Sequence, residues 1–258
     1  MESFISTAYA AEDSIHIALK PFIVGDFLGV PITASMITAW LTMLLLAVAT
    51  FFIGRNLRMV PNKLQSVSEM LVGGVYDYVK DVLGSSDLAN RYFPIIITIF
   101  IFVLLLNWLG LLPGVAAIGT YNSTGDFTPL LYPSATDINI TIAFAIVAFV
   151  TIQLAGVIAL GAFKYTGKFI NFKSPFGFIM GIIDLISELT RLISFSFRLF
   201  GNVFAGKTLL VVVIFFVPYF LPIPMYAFEV LFGFVQAFIF AILTLFFIKL
   251  AISEPNHH

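Results

Sequence analysis

The 258-residue chain contains no cysteine, and only 10% of its residues are charged. Without cysteine it forms neither disulfides nor thiolate metal sites. Its three histidines, His16, His257 and His258, stand near the termini, so we expect no metal site. The chain also lacks a GxxxxGK[ST] phosphate-binding loop and a basic run suited to nucleic acid. We therefore expect no cofactor, no catalysis of ATP hydrolysis by this chain alone and no nucleic-acid partner.

Hydrophobic residues, by contrast, make up 60% of the chain and include 30 phenylalanines. Soluble domains carry about 25% charged residues, far more than are present here. The composition predicts a single polytopic membrane domain over residues 32–258, in contact with lipid. Residues 1–31 are interpreted as a separate N-terminal segment on the outside.

Five apolar stretches are long enough to cross a membrane, since about twenty residues span roughly 30 Å of hydrocarbon. The predicted spans are 32–53, 92–112, 138–163, 176–217 and 225–252. Three prolines within 218–224 predict a hairpin turn between the last two. In residues 62–83 apolar residues recur every three or four positions, and charged residues occupy much of the remainder. This pattern is typical of an amphipathic helix lying in the membrane interface.

Lysine and arginine positions predict that the N-terminus is outside and the C-terminus inside. With that orientation the inner loops hold most of the basic residues: Arg55, Arg58, Lys63, Lys80, Lys164, Lys168 and Lys173. The outer segments hold Lys20 and five acids: Glu12, Asp13, Asp26, Asp126 and Asp137.

The fourth apolar stretch is too long for a perpendicular span. A helix over 176–217 would measure about 63 Å, roughly twice the hydrocarbon thickness. No proline interrupts it, so we expect a steeply inclined helix that lays one side along the membrane interior. The fold class predicted is therefore an all-α membrane protein with five transmembrane helices, one interfacial amphipathic helix, and a long, steeply tilted hairpin at the end.

Arg198 lies near the middle of this long helix, where a permanent positive charge costs roughly 3 kcal/mol. The positions one or two helical turns away on its face hold no acid: Ser194, Phe195, Gly201, Asn202 and Ala205. The charge therefore requires compensation from outside its own helix.

Asp184, Glu188 and Arg191 lie on the same stripe of this helix, nearer the predicted inside. Glu188 and Arg191 are spaced for an i,i+3 ion pair, and Asp184 can reach Glu188. Two interpretations stay open: a self-satisfied polar patch, or a hydrated route on which the carboxylates exchange protons with the inside.

Lys207 and Glu229 lie nearer the predicted outside, on the two helices of the hairpin. They form either a structural ion pair with a snorkelling lysine, or a proton site reached from the outside. Gln236 lies on the Glu229 face, at about the depth of Arg198. No residue links the two sides past Arg198, which suggests that a proton completes its journey on a carboxylate of a partner.

A secondary transporter and a membrane subunit of a respiratory complex are the alternatives. The first predicts inverted repeats with broken helices in both halves. The second predicts an acid–lysine chain through the full depth of the membrane. The sequence shows no such repeats, and around Arg198 it shows no such chain.

One motif carries a resemblance to a known family. The run Ser-Phe-Arg198-Leu-Phe-Gly-Asn202-Val-Phe-Ala-Gly206 resembles the signature of subunit a of F-type ATP synthases. Further matching runs are Pro61-Asn-Lys-Leu-Gln, Asn107-Trp-Leu-Gly-Leu-Leu-Pro113, Pro133-Ser-Ala-Thr-Asp137-Ile-Asn139-Ile-Thr and Gln236-Ala-Phe-Ile-Phe. Together they extend over roughly residues 60–250.

The resemblance implies that Arg198 faces the carboxylates of a c-subunit ring, in a complex that also contains b-type peripheral-stalk subunits. It implies that Asn202 and Gln236 line the route around the arginine and that Asp184, with Glu188 beside it, lies on the inner route. It also implies a non-catalytic proton-translocating stator in a bacterial inner membrane or, alternatively, a mitochondrial inner or chloroplast thylakoid membrane.

The chain departs from the family pattern on the outer side. Many members have an acid at the position of Lys207, and a histidine or other partner at that of Glu229. We therefore assign the outer proton-relay role to Glu229 and treat Lys207 as its charge partner. Leu192 stands where many members have proline, which keeps this helix uninterrupted.

Overall fold

A computed structural model describes residues 21–27, 29–55, 59, 61–112, 114–121, 127–169 and 175–253. Its helices are α1 (Ala34–Arg55), α2 (Lys63–Leu83), α3 (Ser86–Leu111), α4 (Ile138–Leu160), α5 (Ala162–Phe169), α6 (Pro175–Phe216) and α7 (Pro222–Ile252). Its strands are β1 (Ile23–Phe27), β2 (Val30–Thr33), β3 (Gly119–Tyr121) and β4 (Phe127–Pro129).

Several predicted features lie outside the described residues. These are segment 1–20, Pro113, the three histidines, the loop charges Glu12, Asp13, Lys20, Arg58, Asp126 and Lys173, and the side chain of Lys168.

Within the described ranges, five helices are long and apolar enough to cross a membrane: α1, α3, α4, α6 and α7. This confirms the all-α membrane fold predicted from composition. Helix α2 has charged residues along one side and ends at Gly84, whose φ of +69° favours glycine. The amphipathic helix expected over 62–83 is therefore present, and its position in the interface stays a prediction.

Helix α6 runs without a break for 42 residues. Helix α7 begins at Pro222, so the prediction that 218–224 is all turn is wrong for its last three residues. The first backbone N–H groups of a helix have no intrahelical acceptor, which is why Pro222 and Pro224 fit in its first turn. The two helices form the hairpin expected at the end of the chain, and its tilt stays a prediction.

Helix α4 ends at Leu160, three residues before the end of the predicted span 138–163. Gly161 adopts a φ of +84°, which ends the helix. The short helix α5 follows and places the Tyr165 ring directly against Gly156, where a Cβ would overlap it. Helix α3 begins at Ser86, earlier than the predicted span 92–112. The prediction from hydrophobicity left out the first turns of this helix because they are polar.

Two antiparallel hairpins, β1–β2 and β3–β4, were not predicted. The hairpin β1–β2 precedes α1, and the hairpin β3–β4 follows α3. The segment between β4 and α4 is fixed to α1 by two hydrogen bonds: Tyr132 N donates to Thr38 Oγ1 (3.0 Å) and Ser134 Oγ donates to the Ser35 carbonyl (2.8 Å). This segment is therefore held against the first turns of α1.

The buried core lies where α2, α3, α4, α6 and α7 meet. Its largest fully buried apolar side chains are Val79, Val103, Ile152, Leu199, Phe240, Leu245 and Ile248. One side of α6 is outside this core and exposes large apolar side chains such as Ile193 and Phe197. The long helix thus presents an uncovered apolar surface.

Candidate functional site

Arg198 lies on the uncovered side of α6, and its side chain is exposed. Its Nη2 donates a long hydrogen bond, 3.5 Å, to Ser194 Oγ. Among the residues that the structure describes, no carboxylate lies within 4.0 Å of the guanidinium. Helix α6 therefore carries an uncompensated positive charge on a predominantly apolar surface.

A cleft adjoins the guanidinium and has a volume of about 340 Å³. Helices α6 and α7 line it with Ser187, Thr190, Arg191, Ser194, Phe195, Arg198, Leu243 and Phe247. Three of these side chains are hydroxyls that recur every three or four residues on the face of Arg198. We did not predict them as site residues, although this spacing in the sequence is the signal that identifies them.

Glu188 is buried beneath this cleft and is fully engaged. Both of its carboxylate oxygens accept hydrogen bonds from Arg191 Nη1, at 2.9 and 2.8 Å, which confirms the i,i+3 pair. Gln153 Nε2 on α4 donates to Glu188 Oε2 at 3.0 Å. The Tyr165 hydroxyl in turn donates to Gln153 Oε1 at 2.6 Å. Gln153 and Tyr165 were missed from sequence because they lie on other helices.

Burial, together with the nearby Glu188 carboxylate, raises the pKa of Tyr165 to about 12. The phenol therefore stays protonated and remains a donor at neutral pH.

The Arg191 guanidinium lies 3.8 Å from the centre of the Phe247 ring, a cation–π contact. Asp184 is half-buried, and within the described residues no hydrogen bond joins it to Glu188. Within the described residues, the contacts around this cleft therefore compensate the charges of Glu188 and Arg191 but not that of Asp184.

A second cavity, of about 230 Å³, lies between α3, α6 and α7. Its polar lining includes Asn107, Asn202, Lys207, Tyr226 and Glu229. The structure thus brings Lys207 and Glu229 to one space, as expected, and adds Asn202 to it. Arg198, one helical turn from Asn202, lies outside this cavity and at the cleft.

Lys207 and Glu229 share the cavity without forming an ion pair within 4.0 Å in the described part of the chain. The ammonium nitrogen of Lys207 instead lies 3.2 Å from the centre of the Tyr132 ring. That nitrogen is buried and has no hydrogen-bond partner in the part of the chain that the structure describes. The Glu229 carboxylate packs directly against Gly206.

Gln236 is buried on α7 and lines neither the cleft nor the cavity. Its Nε2 has no hydrogen-bond partner among the described residues. Asn107, a motif residue, donates from Nδ2 to the Gly233 carbonyl at 3.1 Å, and Trp108 Nε1 donates to the Val230 carbonyl at 3.1 Å. These bonds fix α3 against α7 beside Glu229.

In the described ranges no group of three His, Cys, Asp or Glu forms a metal site.

Comparison with known proteins gives consistent matches. The family model described as ATP synthase A chain matches residues 36–249. A Moorella thermoacetica protein named ATP synthase subunit a is 31% identical over 85% of this chain and 90% of its own length. Similar matches are ATP synthase subunit a 1 of Pelobacter propionicus (33% identity; 84% and 86% covered) and ATP synthase subunit a of Campylobacter concisus (32%; 84% and 89%).

Proposed function

We propose, since this chain belongs to the ATP synthase A chain family, that it is the stationary half of a rotary proton path. The family supports a general proton-channel role in the membrane sector of an F-type ATP synthase. The bacterial relatives and five apolar helices make the chain a multi-pass protein of a bacterial inner membrane. In this role it moves protons and leaves ATP chemistry to other subunits.

The proposed coupling to a rotor rests on Arg198, which is exposed on an apolar surface of α6 and has no carboxylate within 4.0 Å among the described residues. An unpaired charge in hydrocarbon is costly and marks a functional site by default. A carboxylate that arrives from a partner in trans would neutralise it. A ring of c subunits, each with one membrane carboxylate, supplies such a group repeatedly as it rotates.

Arg198 cannot relay protons itself, because a guanidinium stays protonated at any ordinary pH. Its role is electrostatic: it attracts a deprotonated rotor carboxylate and repels a proton that would pass directly between the two sides. Each proton that crosses 100 mV releases about 2.3 kcal/mol, so several protons are needed for each ATP.

The two half-channels correspond to the cleft and the cavity on either side of Arg198. On the outer side, Glu229 exchanges protons in the cavity that Asn202 also lines, and Gln236 lies deeper along the same helix. On the inner side, Asp184 is the exchanging carboxylate. Glu188 supports the route as a fixed charge, since Arg191 and Gln153 already engage it.

Membership of the family supports assembly with the rest of an F-type complex, and the proposed direct partners are the c ring and b-type stalk subunits. Purification in mild detergent tests the first step. We expect a small c-type subunit and a nucleotide-binding sector to co-purify with the chain; purification without either would contradict the proposal.

Cross-linking tests the surface itself, because the native chain has no cysteine. We expect Phe197→Cys, beside Arg198, to form a disulfide with a cysteine placed next to the c-subunit carboxylate. Met43→Cys on α1 is the matched control, since both native side chains are 56% exposed. Equal cross-linking at both positions, or none at Phe197→Cys, would overturn the proposed contact.

A further inference from the structure

Lys207 has an unusual environment for a buried ammonium. Among the residues that the structure describes, its buried Nζ has no hydrogen-bond partner, and Glu229, which lines the same cavity, forms no ion pair with it. A buried charge ordinarily has a partner or is strongly destabilising. The Tyr132 ring, 3.2 Å away, is the contact that compensates it.

Tyr132 is itself held firmly from behind. Its backbone N–H donates to Thr38 Oγ1 at 3.0 Å, and its ring packs edge-to-face on Phe22, with 4.9 Å between ring centres. The neighbouring Ser134 is hydrogen-bonded to α1. These contacts hold the Tyr132 ring in place next to Pro133, which lines the cavity.

We infer that Tyr132 is a positioning residue for the outer proton route: its ring holds the Lys207 ammonium away from Glu229. This inference rests on the proposed function, in which Glu229 must take up and release protons. An ammonium paired directly with Glu229 would lock the carboxylate in its ionised form. Held on the ring, Lys207 keeps a positive potential in the cavity without closing that ion pair.

The titratable groups at this cavity are few, which makes the effect of Tyr132 separable. They are Lys207 on α6, Tyr226 and Glu229 on α7, and Tyr132 itself; α3 contributes the neutral Asn107. Burial raises the pKa of Tyr132, so the ring remains a neutral phenol throughout the working pH range.

The test measures ATP synthesis driven by an imposed proton gradient in vesicles that contain the whole complex, normalised to assembled complex. Tyr132→Phe keeps the ring and should stay within about twofold of wild type. Tyr132→Leu removes the ring, frees Lys207 to pair with Glu229, and should lower the rate about tenfold. Tyr121→Leu is the control, since Tyr121 is 76% exposed and does not line the cavity.

The decisive variant is Tyr132→Leu combined with Lys207→Gln. If the ring acts by holding the ammonium, removal of the ammonium should restore the rate to within about twofold of Lys207→Gln alone. A double variant as slow as Tyr132→Leu, or a Tyr132→Leu variant at the wild-type rate, would overturn the inference. Loss of assembly that Lys207→Gln does not repair would also overturn it, since the ring would then be purely structural.

A failure of the inference is distinguishable from a failure of the proposed function. Glu229→Gln should strongly impair proton-driven synthesis if the proposed function holds, whatever Tyr132 does. If Glu229→Gln and Arg198→Ala both synthesise ATP at the wild-type rate, the proposed function is rejected. If Glu229→Gln is slow but Tyr132→Leu synthesises ATP at the wild-type rate, only the role of Tyr132 is rejected.

Discussion

The Glu229 carboxylate occupies the space that a side chain at Gly206 would fill. Helix α7 thereby brings an acid into direct contact with the backbone of α6, one residue before Lys207. The contact places Glu229 in the cavity between α3, α6 and α7 and depends on a glycine, so it makes a specific prediction about position 206.

Gly206→Ala should displace the Glu229 carboxylate, because the new Cβ overlaps it. We expect proton-driven ATP synthesis to fall about tenfold or more, since small displacements of reacting groups cost that much. The control is Gly54→Ala on α1, where a Cβ meets no atom within 4 Å. Equal rates in the two variants would show that the position of Glu229 does not matter.

Tyr165→Phe should destabilise the chain, because it leaves the half-buried Gln153 Oε1 without the hydroxyl that donates to it. An unsatisfied buried acceptor costs about 1–3 kcal/mol, and a half-buried one is expected at about the low end of that range. The measurement is the thermal unfolding midpoint of the purified complex. Tyr78→Phe on α2 is the control, since its ring contact with Phe238 survives the substitution; a drop of similar size there would contradict the prediction.

The stabilisation from Tyr165 should also depend on pH. Its folded pKa is about 12, above the ordinary value of 10.0, so the contribution is fully present below about pH 10 and is lost as pH rises through 12. We expect the difference in unfolding midpoint between wild type and Tyr165→Phe to shrink from about pH 9 to about pH 12. This range covers the ordinary and the folded pKa of the tyrosine. A difference that grows with pH would show the sign to be wrong.

Asp184→Asn should slow proton flow, because it removes the inner carboxylate that has no fixed partner among the described residues. A loss of about tenfold is expected for a proton-transfer group. Asp77→Asn on α2 is the control, because Asp77 is exposed outside the proposed route. Full activity of Asp184→Asn would move the inner route to another group.

The sequence pattern predicts local and periodic features well. The five apolar spans, the unbroken α6 and the Glu188–Arg191 pair follow from hydrophobicity and helical spacing along one chain segment. The lack of an acid beside Arg198 on its own helix is likewise visible in the sequence.

Contacts between distant segments could not be predicted in this way. Tyr132 meets Lys207, and Gln153 meets Glu188, only because separate helices and loops pack together. Lys207 was expected to be the charge partner of Glu229; the structure places both in one cavity and the ammonium on an aromatic ring. The hairpin β1–β2 was missed because its short strands carry no alternating pattern strong enough to stand out.

The central claim, that Arg198 separates the two half-channels and couples them to rotation, is tested most directly by Arg198→Ala in vesicles. We expect ATP-driven proton pumping to be abolished while the complex still assembles, because no fixed charge then holds the rotor carboxylate ionised. Passive proton flow, measured after the nucleotide-binding sector is removed, should continue. Arg91→Ala, which removes an exposed arginine at the start of α3, should pump normally. Pumping by Arg198→Ala at the wild-type rate would contradict the account.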